Sequence, residues 1–99
     1  MNLYVIRRRD FAGTPEALQK IAARSAEVGQ EMSDDIKWIR TYVVQEESGT
    51  LGTVCIYEGT SADKVREQAE RTGMPADEVA QVVDTVIVNA DPVQVAAEA

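Results

Sequence analysis

Few side chains of this 99-residue chain are suited to chemistry, because it contains no histidine and only one cysteine, Cys55. The absence of histidine excludes Ser-His-Asp and Cys-His catalysis. It also removes the commonest protein ligand of zinc, nickel and copper. What remains as a candidate site is Cys55 together with four residues on the same two predicted strands: Trp38, Arg40, Tyr42 and Tyr57.

Each of these five residues has a chemical and a structural interpretation. Cys55 is either a metal thiolate or reactive thiol near Arg40, or a small buried apolar side chain. Arg40 either binds a carboxylate or phosphate ligand or pairs with an acidic side chain. Trp38, Tyr42 and Tyr57 either line a pocket or pack in an interface, since aromatic side chains are enriched in both. We name the five as candidate ligand-binding residues and predict binding rather than catalysis, with no catalytic residue assigned.

Length and composition indicate one globular domain. The chain is 44% hydrophobic and 27% charged, with a net charge of −7. The negative charge argues against nucleic acid as a partner, because phosphate binding needs a basic surface. No apolar run is long enough to cross a membrane, and a lone cysteine is typical of a reducing compartment, so we expect a cytoplasmic protein. We expect the domain to cover residues 1–90 and a tail to cover 91–99.

The hydrophobic pattern predicts four strands and two helices. The predicted strands cover residues 3–8, 36–44, 51–58 and 81–89. Thr14 is the expected cap of the first helix and Thr60 that of the second. Gly73 is the expected left-handed residue that ends the second helix, and residues 75–79 are expected to form a short helical turn. Residues 93–97 are expected to form a last turn or to dock on a partner.

The resulting order, β-α-β-β-α-β, predicts a ferredoxin-like α+β sandwich. Right-handed crossovers then give a four-stranded antiparallel sheet with both helices on one face. The other face must be wet or covered. The strand at residues 36–44 is apolar on both sides, which is typical of a strand buried on both sides. A closed twofold dimer is the simplest cover, so we predict a homodimer.

The predicted strand faces place the candidate residues on the open side of the sheet. Val54 and Ile56 are expected to face the helices, with Ile39 and Val43 beside them. Cys55 and its neighbours in alternation then face away from the helices, because side chains alternate along a strand. All five candidate residues, Trp38, Arg40, Tyr42, Cys55 and Tyr57, would thus share one cavity at the dimer interface.

Several segments resemble a small bacterial domain-of-unknown-function family whose members are often named nickel-binding proteins. They are the first strand from Tyr4 to Arg8, the Trp38-Ile39-Arg40-Thr41-Tyr42 strand, the Cys55-Ile56-Tyr57 strand and the segment from Thr60 to Val79. The segment Gly73-Met74-Pro75-Ala76-Asp77-Glu78-Val79 is similar to that family's Gly-x-Pro-Ala-Asp-x-Val turn, in which the second position is an aromatic residue or Met. The resemblance spans most of residues 3–90.

The resemblance implies a ferredoxin-like homodimer and, for the characterised branch, nickel binding. The family strand usually reads Trp-x-His-Ser/Thr-Tyr, and Arg40 occupies the histidine position here. Arginine stays protonated and cannot ligate a metal. The resemblance therefore predicts a metal- or ligand-binding dimer whose nickel site has lost a ligand. The alternatives are a metal-free module that binds small anionic or aromatic molecules, a cofactor-free enzyme, and a purely structural subunit.

Overall fold

The computed structural model describes residues 1–92, and the turn considered at residues 93–97 lies outside the described part. The strands are β1 (Asn2–Ala12), β2 (Ile36–Gln45), β3 (Leu51–Gly59) and β4 (Glu78–Gln81), and the helices are α1 (Pro15–Glu31) and α2 (Ala62–Thr72). They form one four-stranded sheet in the order β2-β3-β1-β4, and every neighbouring pair is antiparallel. The predicted ferredoxin-like α+β fold is confirmed.

The helix boundaries follow from local hydrogen bonds. Thr14 caps α1 as predicted, and its side chain accepts a hydrogen bond from the backbone N–H of Ala17. The cap of α2 is Ser61 and not Thr60, because the Ser61 hydroxyl accepts from the Lys64 N–H. Gly73 ends α2 with φ of 80°. This left-handed conformation suits glycine, which has no Cβ to clash with the backbone.

The last strand lies earlier in the chain than the sequence predicts. Val79 pairs with Ile6 of β1 and packs against the core, so residues 78–81 form β4. The prediction of a helical turn at residues 75–79 is wrong. The predicted strand at residues 81–89 is therefore wrong except at its first residue. Four of its β-branched residues are each at least 80% accessible: Val83, Val86, Ile87 and Val88. A run of β-branched residues matches strand propensity, but pairing with β1 ends at Gln81.

Both helices cover the same face of the sheet, and the core lies between them. Tyr4 and Ile6 of β1 meet Val28 of α1 and Val65 of α2 there. The opposite face, hereafter the open face, presents Leu3, Val5, Val54 and Ile56. No helix of residues 1–92 is long and apolar enough to cross a membrane.

Candidate functional site

The structure divides the five predicted site residues between the two faces of the sheet. Cys55 and Tyr57 belong to the core and face the helices, and the prediction that they lie on the open face is wrong. Trp38 is also on the helix-facing side, where its ring stacks on Tyr57 with 6.0 Å between centroids. Arg40 and Tyr42 lie on the open face, so the five do not share one cavity.

A β-bulge causes this division. Trp38 pairs with Tyr57, whereas Arg40, two residues later, pairs with the adjacent Ile56. The extra residue, Ile39, shifts the alternation by one position and turns Arg40 to the other face. The predicted faces of β3 are also reversed. Val54 and Ile56 lie on the open face, although they are more apolar than their neighbours along the strand.

The open-face pair is bonded to an acidic residue, the structural alternative considered for Arg40. Arg40 Nη1 lies 2.7 Å from Asp91 Oδ2, and the Tyr42 hydroxyl donates to the same oxygen. The hydrogen bond from Tyr42, followed by that from Arg40, lowers the pKa of Asp91 below its usual value. The same two partners raise the pKa of Arg40. All three side chains are more than a third exposed, so this cluster is a solvated surface contact.

The helix-facing trio lines a cavity between the sheet and the N-terminal half of α1. We call it the Arg8 cavity, after a residue that the prediction of the site omitted. Its volume is about 190 Å³, and it is partly open to solvent. Its walls are chiefly apolar, from Phe11, Leu18, Ile21, Ala22, Val43 and Met74. Arg8, Trp38, Cys55 and Tyr57 complete the side formed by the sheet.

Arg8 is fully buried and lacks a carboxylate partner within residues 1–92. Its only side-chain hydrogen bond there runs from Nη1 to the sulfur of Cys55, at 3.2 Å. Nε and Nη2 are inaccessible to solvent and have no hydrogen-bond partner in the described part of the chain. Buried polar groups are almost always partnered, and a buried charge is costly without a counter-charge. The guanidinium therefore has one unsatisfied edge, which is packed within the cavity wall and is not exposed to the space inside it.

Hydrogen bonds converge on Cys55 from both sides. Trp38 Nε1 donates to the Thr41 hydroxyl at 2.7 Å, and that hydroxyl donates to the Cys55 sulfur at 3.2 Å. Because Thr41 Oγ1 accepts from the indole, its own proton is directed to the sulfur. This chain of hydrogen bonds fixes Trp38 and Cys55 in the cavity wall. Neither Trp38 nor Thr41 brings a negative charge to Arg8.

A second buried network holds Tyr57 in place. Its hydroxyl shares a hydrogen bond with Ser25 of α1 at 3.2 Å, and Gln68 Nε2 of α2 donates to the same Ser25 oxygen at 2.8 Å. Burial raises the pKa of Tyr57 above its usual value, and the hydrogen bond to Ser25 opposes part of that rise. Tyr57 is thus a neutral, fixed wall of the cavity.

Arg8 is the functional candidate that the sequence analysis missed, although the sequence contains a signal for it. Tyr4, Ile6 and Arg8 alternate along β1 and therefore share a face. The first two are core residues, so the third must enter the same interior. Arginine is rarely buried without a partner, which is why a strand pattern alone favours a surface position.

The arrangement is suited to binding a small anion. A fixed guanidinium recognises carboxylate or phosphate oxygens, and an apolar cavity holds the remainder of a small molecule. Among residues 1–92, the cavity wall includes no carboxylate and no histidine to transfer a proton. The fold and the cavity together define a small ferredoxin-like protein with a buried, positively charged pocket.

Comparison with known proteins identifies the family. A family model described as nickel responsive protein SCO4226-like matches residues 4–82, and the chain belongs to this family. The crystal structure of SCO4226 from Streptomyces coelicolor A3(2) has the same fold, with a TM-score of 0.70. It is 24% identical, and the alignment covers 85% of this chain and 99% of that one. No curated protein matches the chain.

The residues present do not fit a nickel site. Within the described residues, no three His, Cys, Asp or Glu side chains are close enough together to hold a metal ion. The chain has no histidine, and its one thiol accepts a hydrogen bond from the Arg8 guanidinium, whose charge repels a cation. Nickel prefers imidazole and thiolate donors in a converging set.

Proposed function

We propose that this chain is a non-catalytic binding protein that holds a small anionic molecule in the Arg8 cavity. The observation that carries the proposal is the unsatisfied edge of Arg8, whose Nε and Nη2 have no partner within the described residues. A bound anion would supply both the missing acceptors and the missing counter-charge. This is the metal-free alternative among the functions considered above, and it uses Arg8 where the sequence pointed to Arg40.

The choice between an anion and a metal follows from charge. Arg8 is fully buried, so little water screens its field inside the cavity. That field attracts an anion and repels Ni²⁺ from the one thiol of the chain. The family name supports nickel as the second candidate ligand, bound by residues outside the Arg8 cavity.

The test is calorimetric titration of the protein with benzoate, phosphate and nickel in separate experiments. We expect at least one anion to bind, and Arg8→Met to weaken that binding by about tenfold or more, since a charged hydrogen bond contributes about 1.5–3 kcal/mol. Arg7→Met is the matched control. Arg7 is the neighbour of Arg8 on β1, but it faces the other way and pairs with Glu46 at 2.7 Å.

Two results would contradict the proposal. Loss of anion binding in Arg40→Met, with binding retained in Arg8→Met, would move the ligand to the open face. Tight nickel binding without any anion binding would favour the metal candidate. Arg7→Met must retain anion binding if the loss in Arg8→Met is to be specific, because Arg7→Met measures the effect of removing a positive charge outside the cavity.

We further propose that the protein is a homodimer whose second copy covers the open face. Its apolar residues Val5, Val54 and Ile56 have no helix over them within residues 1–92. Four apolar side chains of residues 83–88 are also exposed. Apolar side chains without a covering element are typical of interaction sites, and a twofold dimer would bury those of the open face at one contact.

Sedimentation equilibrium tests the dimer. We expect twice the chain mass of 10.8 kDa for the wild type. Ile56→Glu should shift the mass toward that of one chain, because it places a charge at the centre of the open face. The control is Ala23→Glu on the exposed side of α1, which should remain dimeric. A wild-type mass of 10.8 kDa at high protein concentration would overturn this part of the proposal.

A further inference from the structure

The unsatisfied atoms of Arg8 indicate which anion fits. A guanidinium offers a side edge formed by Nε and Nη2, whose two N–H bonds are parallel and match the two oxygens of a carboxylate. In this protein, Nη1 is the nitrogen held by Cys55, and the two nitrogens without a partner are those of the side edge. The sulfur contact thus leaves the two nitrogens of the bidentate edge without a partner. Because both are inaccessible to solvent, a ligand contacts them only after side chains of the cavity wall move aside.

The charge of the cavity limits the ligand to one negative charge. Arg8 is the only cationic side chain in the cavity wall formed by the described residues, and no acid lies there to balance it. A second negative charge on the ligand would be buried without a counter-charge, which is costly in an apolar environment. Dianions such as phosphate at neutral pH are therefore disfavoured.

The shape and lining of the cavity define the rest of the molecule. The part of the wall away from Arg8 is apolar, with Leu18, Ile21 and Val43 among its members. The stacked rings of Trp38 and Tyr57 are nearly parallel, at 4°, and bound it on the sheet side. A cavity of about 150 Å³ with apolar walls holds benzene. The 190 Å³ here suits one ring or a branched chain of similar size, together with a carboxylate.

We infer that the ligand of the Arg8 cavity is a monocarboxylate with an apolar body about the size of one ring, held side-on by Nε and Nη2 of Arg8. This inference rests on the proposed function, since it names the class of anion that the cavity takes. The carboxylate satisfies the guanidinium edge, and the apolar body displaces water from the walls formed by α1 and the sheet.

The test is a comparison of four probes by calorimetry, with the fluorescence of Trp38 as the local signal. Benzoate has both the charge and the ring, acetate has only the charge, benzamide has only the ring, and phosphate has a different anionic geometry. We expect benzoate to bind at least about tenfold more tightly than each of the others and to change the Trp38 emission. Trp38 is the only tryptophan of the chain and lines the cavity.

Arg8→Lys sharpens the test because it keeps the positive charge and removes the bidentate edge. We expect it to weaken benzoate binding by about tenfold while phosphate binding changes little. Stronger binding of phosphate than benzoate would overturn the carboxylate class and leave the proposed function intact. Equal binding of benzamide and benzoate would show that Arg8 does not select the ligand. No binding of any anion would overturn the proposed function itself.

Discussion

Arg8 and Arg40 lie on opposite faces of one sheet and satisfy their charge in different ways. Arg40 is about half exposed, and Asp91 provides a carboxylate at 2.7 Å. Arg8 is fully buried, and among the described residues its one side-chain partner is the sulfur of Cys55. The residue that can be solvated has a counter-ion, and the residue that cannot be solvated has none within residues 1–92.

This contrast is informative because leaving a charge without a counter-ion costs more free energy in the interior than at the surface. Water screens an exposed charge, so Arg40 loses little if Asp91 moves away. A buried charge loses its hydration and depends on protein or ligand partners. A fold optimised only for stability would place the acid beside Arg8. The opposite placement is what our proposal of a binding role for Arg8 predicts, since a residue kept for binding is retained at a cost in stability.

The largest expected effect is therefore a gain in stability when Arg8 is removed. Arg8→Met keeps an unbranched apolar stem and eliminates the unsatisfied charge. We expect the free energy of unfolding, measured by urea titration without ligand, to rise by about 1–3 kcal/mol.

Arg7→Met should change the free energy of unfolding in the opposite direction. Arg7 donates from Nη2 to Glu46, and this bond lowers the pKa of the Glu46 carboxyl. Its removal takes away a partnered charge and should reduce the free energy of unfolding. A lower stability of Arg8→Met than of the wild type would contradict the comparison, since it would show that Arg8 stabilises the fold.

The element order of the fold could be predicted from the sequence because it depends on local patterns. Thr14 and Gly73 each specify a helix boundary without reference to the rest of the chain. The spacing of Ser25 and Val28 specifies the buried face of α1 in the same local way. The crossover rule then leaves few topologies. These features require no knowledge of which strand contacts which.

The faces of the strands could not be predicted because they depend on tertiary contacts. The bulge at Ile39 shifts Arg40 by one position, and nothing in the local sequence requires a bulge there. Tyr57 faces the helices, where Ser25 bonds its hydroxyl and Gln68 in turn donates to Ser25, and both residues are distant from Tyr57 in sequence. Arg8 differs, because its alternation with Tyr4 and Ile6 along β1 does indicate a buried position, and only the rarity of buried arginine argues against it.

The two tyrosines of the site allow a second comparison of the faces, with a smaller expected effect. Tyr57→Phe removes a buried hydroxyl from the network with Ser25 and should lower the free energy of unfolding by about 1 kcal/mol. Tyr42→Phe removes an exposed bond to Asp91 and should cause a smaller loss. Urea unfolding of both variants, followed by circular dichroism, measures the difference. An equal loss in both would contradict the distinction between a buried network and a solvated contact.

The same comparison extends to alkaline pH. Burial raises the pKa of Tyr57 in the folded protein above its ordinary value of 10.0. The folded state then keeps the phenol proton at a pH where the unfolded chain releases it, so stability is full below pH 10 and falls as pH rises through the folded pKa. The wild type should therefore lose stability more steeply than Tyr57→Phe above pH 10. Parallel curves would show that the Tyr57 hydroxyl reaches solvent, and the cavity wall would then be less fixed than the bonds to Ser25 indicate.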